Sequence, residues 1–289
     1  MPPPRRGAVL LTGASSGIGH ATALRLAARG IVFAGVRAEA DAEKLAREGG
    51  ASLRPLLLDV TDAASIERAR AAVAACGTRL DGIVNNAGIA LAGPLEVLPA
   101  ADLRRQFEVN FFGPLALAQA FLPLLRAHGG RIVNVSSIGG KLAAPFAGAY
   151  ASSKFALEAA SDALRVELRG IVHVAVVEPG AVNTPIWRRG AAESVRIFDA
   201  APETLRAPYA SAVRAMLQLS QTLERRGIAP ERVAAAIEHA LYARRPRARY
   251  LVGIDARLRL AVARLPEGVR DRIVAAVIGL PHRPAAARS

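Results

Sequence analysis

The 289-residue sequence has little cysteine, few aromatic residues and no long apolar run, and each scarcity excludes a class of protein. The single cysteine, Cys76, excludes an intramolecular disulfide and favours a reducing compartment. Aromatic residues make up 4% of the chain, and no known nucleic-acid-binding motif accompanies the arginines, so no nucleic-acid partner is expected. No apolar stretch reaches the length of a transmembrane helix. The apolar run after Arg5-Arg6 is too short for a secretory signal.

What the chain does have is a regular alternation of short apolar, β-branched runs and Ala/Leu-rich helical segments. At 52% hydrophobic residues it can bury one large core, and one α/β domain of about 250 residues is expected. The alternation predicts an α/β fold, a Rossmann-type doubly wound parallel sheet in three α/β/α layers. Strands are predicted at 8–12, 31–36, 53–58, 81–85, 131–136, 171–178 and 249–252, and helices at 17–29, 39–48, 62–76, 99–128, 149–169 and 230–244. The domain spans 1–255 with a lid at about 185–226, and a helical extension covers 256–289.

Tyr150 and Lys154 lie one helical turn apart in Tyr-Ala-Ser-Ser-Lys. Lysine is rare here: only Lys44, Lys141 and Lys154 occur among 38 basic residues. A phenol with an ordinary pKa of about 10 is a poor acid–base group at neutral pH. An ammonium on the same helix face favours the phenolate, so the pair can exchange a proton with an alcohol oxygen. The motif alone is common and also fits an ordinary amphipathic helix start.

A glycine-rich turn follows the first predicted strand. Thr12-Gly13-Ala14-Ser15-Ser16-Gly17-Ile18-Gly19 stands between an apolar run and a helical pattern. Glycines let the backbone approach a pyrophosphate, and the helix N-terminus supplies amide donors and a positive dipole end. The spacing is G-x-x-x-G-x-G rather than the usual dinucleotide fingerprint, and a plain flexible turn is the alternative.

Together these motifs resemble the single-domain short-chain dehydrogenase/reductase family. Thr12 to Gly19 match its T-G-x-x-x-G-x-G motif, and Asn110 matches its helix asparagine. Ser137 lies thirteen residues before Tyr150, the family's usual gap for its serine. The other matches are Asp59-Val60, Asn85-Asn86-Ala87-Gly88, and Pro179-Gly180 with Thr184. A looser likeness, in segments such as Glu178-Pro179-Gly180 and the C-terminal helices, points to the retinol and hydroxysteroid dehydrogenase branch.

The resemblance implies an oxidoreductase that interconverts an alcohol and a ketone or aldehyde by hydride transfer. Tyr150 is then the proton donor or acceptor, Ser137 orients the substrate oxygen, and Lys154 also binds the nicotinamide ribose. Asn110 holds a water that links Lys154 to solvent, and no metal is expected. The residues expected to bind the cofactor are Thr12, Gly13, Ser15, Ser16, Gly17, Ile18, Gly19, Arg37, Asp59, Val60, Asn86, Ala87, Gly88, Tyr150, Lys154, Pro179, Gly180 and Thr184.

The end of the second strand indicates which cofactor is used. NAD-specific members carry an acid there, whereas this chain has Gly35, followed by Arg37. A guanidinium can bind a 2′-phosphate bidentately, and Ser16 can add a hydroxyl donor. We therefore expect NADP(H), with NAD(H) as the alternative, because Glu39 and Asp41 would repel a phosphate if they faced it.

The substrate is expected to be lipophilic, because the lid and the segment after the serine are rich in apolar residues. Ser137, Leu142, Phe146 and Trp187 are the candidate substrate contacts. A large apolar pocket suits a steroid- or retinoid-like alcohol or ketone. An NADPH-sensing regulator or a membrane-associated binding protein with little turnover is the alternative function.

The C-terminal extension is basic and amphipathic. From Arg225 onward fourteen arginines stand against five acids, and an apolar stripe runs from Ile273 to Leu280. It is either a cap over the substrate mouth or subunit contact, or a peripheral membrane contact. The expected location is cytoplasmic, at most peripheral to the inner face of a membrane. The family resemblance implies a homodimer or homotetramer built on the helices at 99–128 and 149–169.

Overall fold

A computed structural model describes residues 7–278, in which seven short strands alternate with helices. The strands are β1 (Ala8–Thr12), β2 (Val32–Val36), β3 (Leu53–Leu57), β4 (Leu80–Asn85), β5 (Arg131–Val135), β6 (His173–Pro179) and β7 (Arg249–Val252). The helices are α1 (Gly17–Ala27), α2 (Glu39–Gly49), α3 (Ala63–Ala75), α4 (Ala100–Phe107), α5 (Gly113–Arg126), α6 (Gly148–Glu167), α7 (Ile186–Ala200), α8 (Glu203–Arg206), α9 (Ala210–Arg226), α10 (Pro230–Tyr242), α11 (Ile254–Ala263) and α12 (Glu267–Ile278).

All seven strands run parallel in one sheet of order β3-β2-β1-β4-β5-β6-β7. The order reverses between β1 and β4, because the chain first builds outward on one side and then on the other. Open parallel sheets bind ligands outside the carboxyl ends of their strands at such a switch point. The predicted Rossmann-type doubly wound sheet is confirmed.

Helices cover both faces of the sheet, so successive residues of a buried strand enter different cores. Val9 and Leu11 pack with α1, α2 and α10, whereas Ala8 and Leu10 pack with α3 and α5. This alternation follows from the two-residue period of a strand. A strand covered on both faces needs apolar residues at every position, which explains the unbroken apolar run in β1.

The predicted helix at 99–128 is interrupted. A π-helical turn, Glu108–Phe112, separates α4 from α5. Gly113 follows it, and a β-carbon there would lie 2.8 Å from the Val60 side chain, so the helix closely approaches the loop after β3 at this point. Single π-helical turns are frequent at functional sites, and this one carries Asn110.

The helical stretch Ala100–Arg126 also corrects the expectation that no apolar stretch reaches the length of a transmembrane helix. It is long and apolar enough to cross a membrane by length and composition alone. Leu117, Phe121 and Leu125 are fully buried against the sheet and α3. Packing against its own sheet accounts for part of this apolar surface.

The lid and the extension are helical. The predicted lid at 185–226 contains α7, α8 and α9, and the two helices predicted in the extension are α11 and α12. The extension is described as far as Ile278, so Leu280, the last residue of the predicted apolar stripe, lies outside the described residues.

Candidate active site

The first of two neighbouring cavities lies over the switch point and has a volume of about 370 Å³. The glycine turn between β1 and α1 forms one wall. Gly13 and Gly17 have φ angles of +67° and +55°, which glycine adopts without a steric penalty. A β-carbon at Gly19 would overlap the Gly13 carbonyl oxygen, so the turn folds tightly on itself.

This turn fits the diphosphate of a dinucleotide. It has no side chain beyond Cα at its three glycines, and Ser16 stands as the N-terminal cap of α1 with no capping hydrogen bond from its side chain. The first residues of α1 form part of the cavity wall. Their backbone N–H groups and the helix dipole stabilise an anion there. Every residue predicted to bind the cofactor between Gly13 and Gly19 lines the cavity. Ala14, which was not predicted to do so, is buried and does not line it.

Thr12 acts on the cavity through its neighbours. Its hydroxyl oxygen accepts hydrogen bonds from the backbone amides of Asn86 and Ala87, at 3.0 and 2.9 Å. The Asn86 side chain donates in return to the Thr12 and Gly13 carbonyl oxygens. Thr12 is buried and is not among the residues lining the cavity. Thr12 therefore links the ends of β1 and β4, and its direct contact with a cofactor stays a prediction.

Ser137 and Tyr150 meet at the far end of the same cavity. Ser137 follows β5 and its Oγ accepts a hydrogen bond from the Gly139 amide at 3.0 Å. A β-carbon at Gly139 would lie 3.3 Å from both the Ser137 Oγ and the Tyr150 ring, so these two side chains converge tightly on the same residue. Burial raises the pKa of the Tyr150 phenol, and a hydrogen bond with Ser137 offsets part of that rise.

Lys154 lies beneath Tyr150, one turn further along α6. Its ammonium donates to the Val135 carbonyl oxygen at 2.9 Å and lies 5.9 Å from the centre of the Tyr150 ring. Burial lowers the pKa of Lys154 to about 8, and the charge of Glu158 opposes that change. Burial raises the Tyr150 pKa despite the nearby Lys154 ammonium, so the effect of Lys154 on the phenolate stays a prediction. The protonated phenol is the prevailing form of Tyr150 at neutral pH.

Asn110 supports the site from behind rather than lining it. Its side-chain amide donates to the Ile89 carbonyl oxygen and to the Ser153 Oγ, both at 3.0 Å. Its carbonyl oxygen accepts from the Ile89 amide at 2.9 Å. These bonds tie the loop after β4 to α6 beside Lys154. The side chain is fully buried and committed to protein partners, and the water expected at Asn110 stays a prediction.

A buried charge cluster adjoins Lys154. Arg249 binds Glu158 and Glu178, and Lys141 lies 3.0 Å from Glu158 and 3.7 Å from Glu178. Burial and then the charge of Glu158 raise the pKa of Glu178. Glu158 is the group that connects this cluster electrostatically to Lys154.

The adenosine end of the cavity is formed by the ends of β2 and β3. Arg37 and Asp59 both line it. The Asp59 carboxylate accepts from the amide and hydroxyl of Thr61, at 2.9 and 2.7 Å, and these bonds lower the pKa of Asp59 more than the nearby Arg37 does. Glu39 and Asp41 lie in the first turn of α2 and are not among the lining residues.

The second cavity, of about 240 Å³, opens on the other side of Tyr150. It shares Ser137, Tyr150, Gly180, Val182 and Trp187 with the first. The Trp187 ring packs edge-on against Tyr150 with ring centres 5.0 Å apart. Beyond them most of the lining is apolar and includes Leu142, Met216, Leu219, Val262, Ile273, Val274 and Val277.

Phe146, a predicted substrate contact, lies apart from both cavities. It is buried against Tyr209, with ring centres 6.2 Å apart, and is not among the residues lining either cavity. Its φ angle of +64° is rare for a non-glycine residue, and its carbonyl oxygen accepts a 2.6 Å hydrogen bond from Gly93. This turn directs the ring away from the cavity, which the sequence pattern does not reveal.

The remaining residues predicted to bind the cofactor include several that line the first cavity. Pro179, Gly180 and Thr184 line the first cavity, as do Val60 and the Asn86-Ala87-Gly88 loop. Sequence reasoning missed several lining residues of the lid helix α7, including Ile186, Arg189, Gly190 and Glu193. Their spacing from Thr184 was the available signal, since a helix starting after Pro185 returns to the same face every three or four residues.

Comparison with known proteins decides the family. The family model described as short chain dehydrogenase matches residues 7–194. Retinol dehydrogenase 5 of Mus musculus is 37% identical over 284 residues, which cover 94% of this chain and 89% of that protein. The chain belongs to the short-chain dehydrogenase/reductase family. The looser likeness to the retinol dehydrogenase branch is also confirmed.

Two solved structures of this family extend the comparison to the cofactor. A short-chain dehydrogenase from Burkholderia cenocepacia, in complex with NADP, is 25% identical with a TM-score of 0.70, covering 95% of this chain and 98% of that one. A short-chain dehydrogenase/reductase from Burkholderia phymatum, in complex with NAD, is 26% identical with a TM-score of 0.74, covering 97% and 98%. This short-chain dehydrogenase/reductase is accordingly an NAD(P)-dependent oxidoreductase.

Proposed function

We propose that the protein interconverts a lipophilic alcohol and its ketone or aldehyde, and that it prefers NADP(H). The observation that carries this proposal is the junction of the two cavities. Ser137 and Tyr150 stand between a cavity with a dinucleotide turn and a cavity lined mostly by apolar side chains. A carbonyl at this junction faces the cofactor on one side and keeps its apolar body in the second cavity.

The residues at the junction can perform the proton chemistry. Ser137 and the Tyr150 hydroxyl converge on one point, where both can hydrogen-bond a carbonyl oxygen and orient it. The neutral phenol donates its proton as negative charge develops on that oxygen, and it accepts the proton in the reverse direction. The protonated Lys154 stabilises the phenolate left behind. The bound nicotinamide supplies or accepts the hydride.

The apolar cavity supports a lipophilic substrate. Its walls come from the segment after Ser137, from α9 and from the C-terminal helices α11 and α12. Glu224 and Arg259 also line this cavity, but most of its lining is apolar, and such a pocket suits a bulky hydrophobic molecule whose reacting oxygen lies at Ser137 and Tyr150. The name of the relative retinol dehydrogenase 5 is consistent with a substrate of this kind.

Arg37 supports a preference for NADP(H). It lines the first cavity at the end of β2, where no acid side chain stands to bind a ribose hydroxyl. Within the described residues Arg37 makes no ion pair, so its guanidinium is available to a 2′-phosphate. We expect Arg37→Ala to weaken NADPH binding roughly tenfold or more, since hydrogen bonds to charged groups contribute about 1.5–3 kcal/mol, and to leave NADH binding unchanged.

The decisive experiment measures oxidation of NADPH and NADH with a steroid ketone, retinal, a long-chain aldehyde and a small polar ketone. We expect turnover of a bulky apolar carbonyl with NADPH. Tyr150→Phe should lower kcat by about 10²- to 10⁴-fold, as loss of a general acid does, with NADPH binding retained. Tyr209→Phe is the matched control, because that hydroxyl bonds Glu96 at the surface.

Each part of the proposal can fail separately. Turnover of the polar ketone alone would refute the lipophilic substrate. Unchanged kcat in Tyr150→Phe would refute the role of the phenol. Tight NADPH binding with no turnover of any carbonyl tested would favour the NADPH-sensing function instead.

A further inference from the structure

Arg189, on the lid helix α7, reaches across the mouth of the first cavity to the glycine turn. Its Nη1 donates to the Ser16 Oγ at 3.4 Å, although the two residues are 173 positions apart in the chain. Ser16 caps α1, at the helix end whose free amides attract an anion. Both residues line the cavity. A cation therefore stands opposite the turn that would hold a diphosphate.

The position of Arg189 is set by close packing of α7 on the loop after β4. A β-carbon at the next residue, Gly190, would overlap the Ala90 carbonyl oxygen, so helix and loop backbones are in direct contact. One turn later the Ser194 Oγ accepts a hydrogen bond from the Ala92 amide at 2.9 Å. These two contacts hold the first half of α7 against the cofactor cavity.

Arg189 carries an uncompensated charge. The arginines near Glu193 are paired with it: Arg105 lies 2.7 Å and Arg196 3.7 Å from its carboxylate. Arg189 makes no ion pair with any residue between 7 and 278. Its guanidinium has five N–H donors, and within these residues it makes one long hydrogen bond to a neutral hydroxyl, the Ser16 Oγ. Its other donors can therefore bind an anionic ligand.

We propose that Arg189 binds the diphosphate of the dinucleotide from the lid side, opposite the glycine turn. The diphosphate is preferred to the 2′-phosphate because Arg189 contacts Ser16 at the start of α1, whereas Arg37 lies at the end of β2. The inference rests on dinucleotide binding in the first cavity. It makes α7 part of the cofactor site, so a bound cofactor helps to hold α7 in place. The same helix carries Trp187, which forms a wall of the substrate cavity.

The test is equilibrium binding of NADPH and NADH to the full chain without a carbonyl substrate, followed by cofactor fluorescence. We expect Arg189→Ala to raise the Kd of both cofactors by the same factor, about tenfold or more, because both contain the diphosphate. Arg189→Lys should weaken binding less, since it keeps the charge but loses the planar fork. Arg37→Ala should affect NADPH alone.

Arg188 offers a matched control. It is the preceding residue of α7, is exposed, and is not among the residues lining the cavity. Arg188→Ala removes the same charge from the same helix and should leave both Kd values within about twofold, as expected for a surface charge. A similar loss in the two variants would show a general charge effect and overturn the proposal.

The remaining outcomes also decide the matter. Unchanged Kd values in Arg189→Ala would overturn it, and loss of NADPH affinity alone would assign Arg189 to the 2′-phosphate instead. Inorganic pyrophosphate provides a second measurement: it should compete with NADPH in the wild type more strongly than in Arg189→Ala. These readouts do not use turnover, so an inactive enzyme that binds both cofactors leaves the inference intact. A wild type that binds neither would remove its basis.

Discussion

Replacing Lys154 by methionine should make the protein more stable at neutral pH while nearly abolishing its activity. Lys154 is only 5% exposed, and among residues 7–278 its ammonium has one hydrogen-bond acceptor, the Val135 carbonyl oxygen. Burial lowers its pKa from 10.5 to about 8. A lysine pKa that is lower in the folded chain than in the unfolded chain means that the protonated side chain opposes folding.

The size of the effect follows from the pKa shift. At 1.36 kcal/mol per pKa unit, the shift from 10.5 to about 8 corresponds to a cost of about 3 kcal/mol at pH 7. Methionine has a similar length and no charge, so it removes this cost. It also leaves the Val135 carbonyl oxygen without the ammonium, which costs about 1–2 kcal/mol. The net expectation is a free energy of unfolding about 1–2 kcal/mol higher at pH 7.

Urea unfolding of both proteins at pH 7 and pH 10 measures this difference. Between about pH 8 and pH 10.5 the unfolded chain still holds the proton that folded Lys154 has released, so wild-type stability rises with pH. Lys154→Met lacks this rise, and its advantage should disappear near pH 10. Carbonyl reduction should fall by about 100-fold or more, the range seen for loss of acid–base groups.

Lys141→Met supplies the contrasting variant. Lys141 pairs with the buried Glu158 and Glu178, so its removal leaves carboxylates with less compensation and should destabilise the fold. The reasoning about Lys154 would be refuted if Lys154→Met were less stable than the wild type at pH 7. A stability gain that did not change between pH 7 and pH 10 would refute it equally.

Three further predictions concern pH, the lid helix and the extension. In rate–pH profiles, reduction should fall above about pH 8 as Lys154 loses its proton, whereas oxidation should rise with pH because it needs the Tyr150 phenolate. Gly190→Ala should displace α7 and weaken NADPH binding in titrations, because a β-carbon there would overlap the Ala90 carbonyl oxygen. Gly268→Ala is the control, since the space around Gly268 is open, and it should leave NADPH binding unchanged. Equal effects of the two substitutions would contradict the packing argument. Removing everything after Arg264 should raise KM for bulky apolar carbonyls without changing NADPH affinity, because α12 lines the second cavity. Normal kinetics together with lost vesicle binding would support the membrane contact instead.

The sequence predicted the features that depend on residues close together in the chain. Strands such as Ala8–Thr12 carry an unbroken apolar run because a sheet covered on both faces needs one, and the predicted strand bounds differ from the observed ones by at most two residues. The glycine turn requires positive φ angles at Gly13 and Gly17, which makes its residue types diagnostic. The spacing of Tyr150 and Lys154 follows from one turn of helix.

Tertiary structure decided what depends on packing between distant segments. The placement of Ser137 and Tyr150 between two cavities, and of Arg189 opposite Ser16, requires helices from separate parts of the chain to meet at the sheet edge. The outward turn of Phe146 arises from one backbone angle. The pKa shifts of Tyr150 and Lys154 come mainly from burial, and a linear sequence does not show how far a side chain is removed from water.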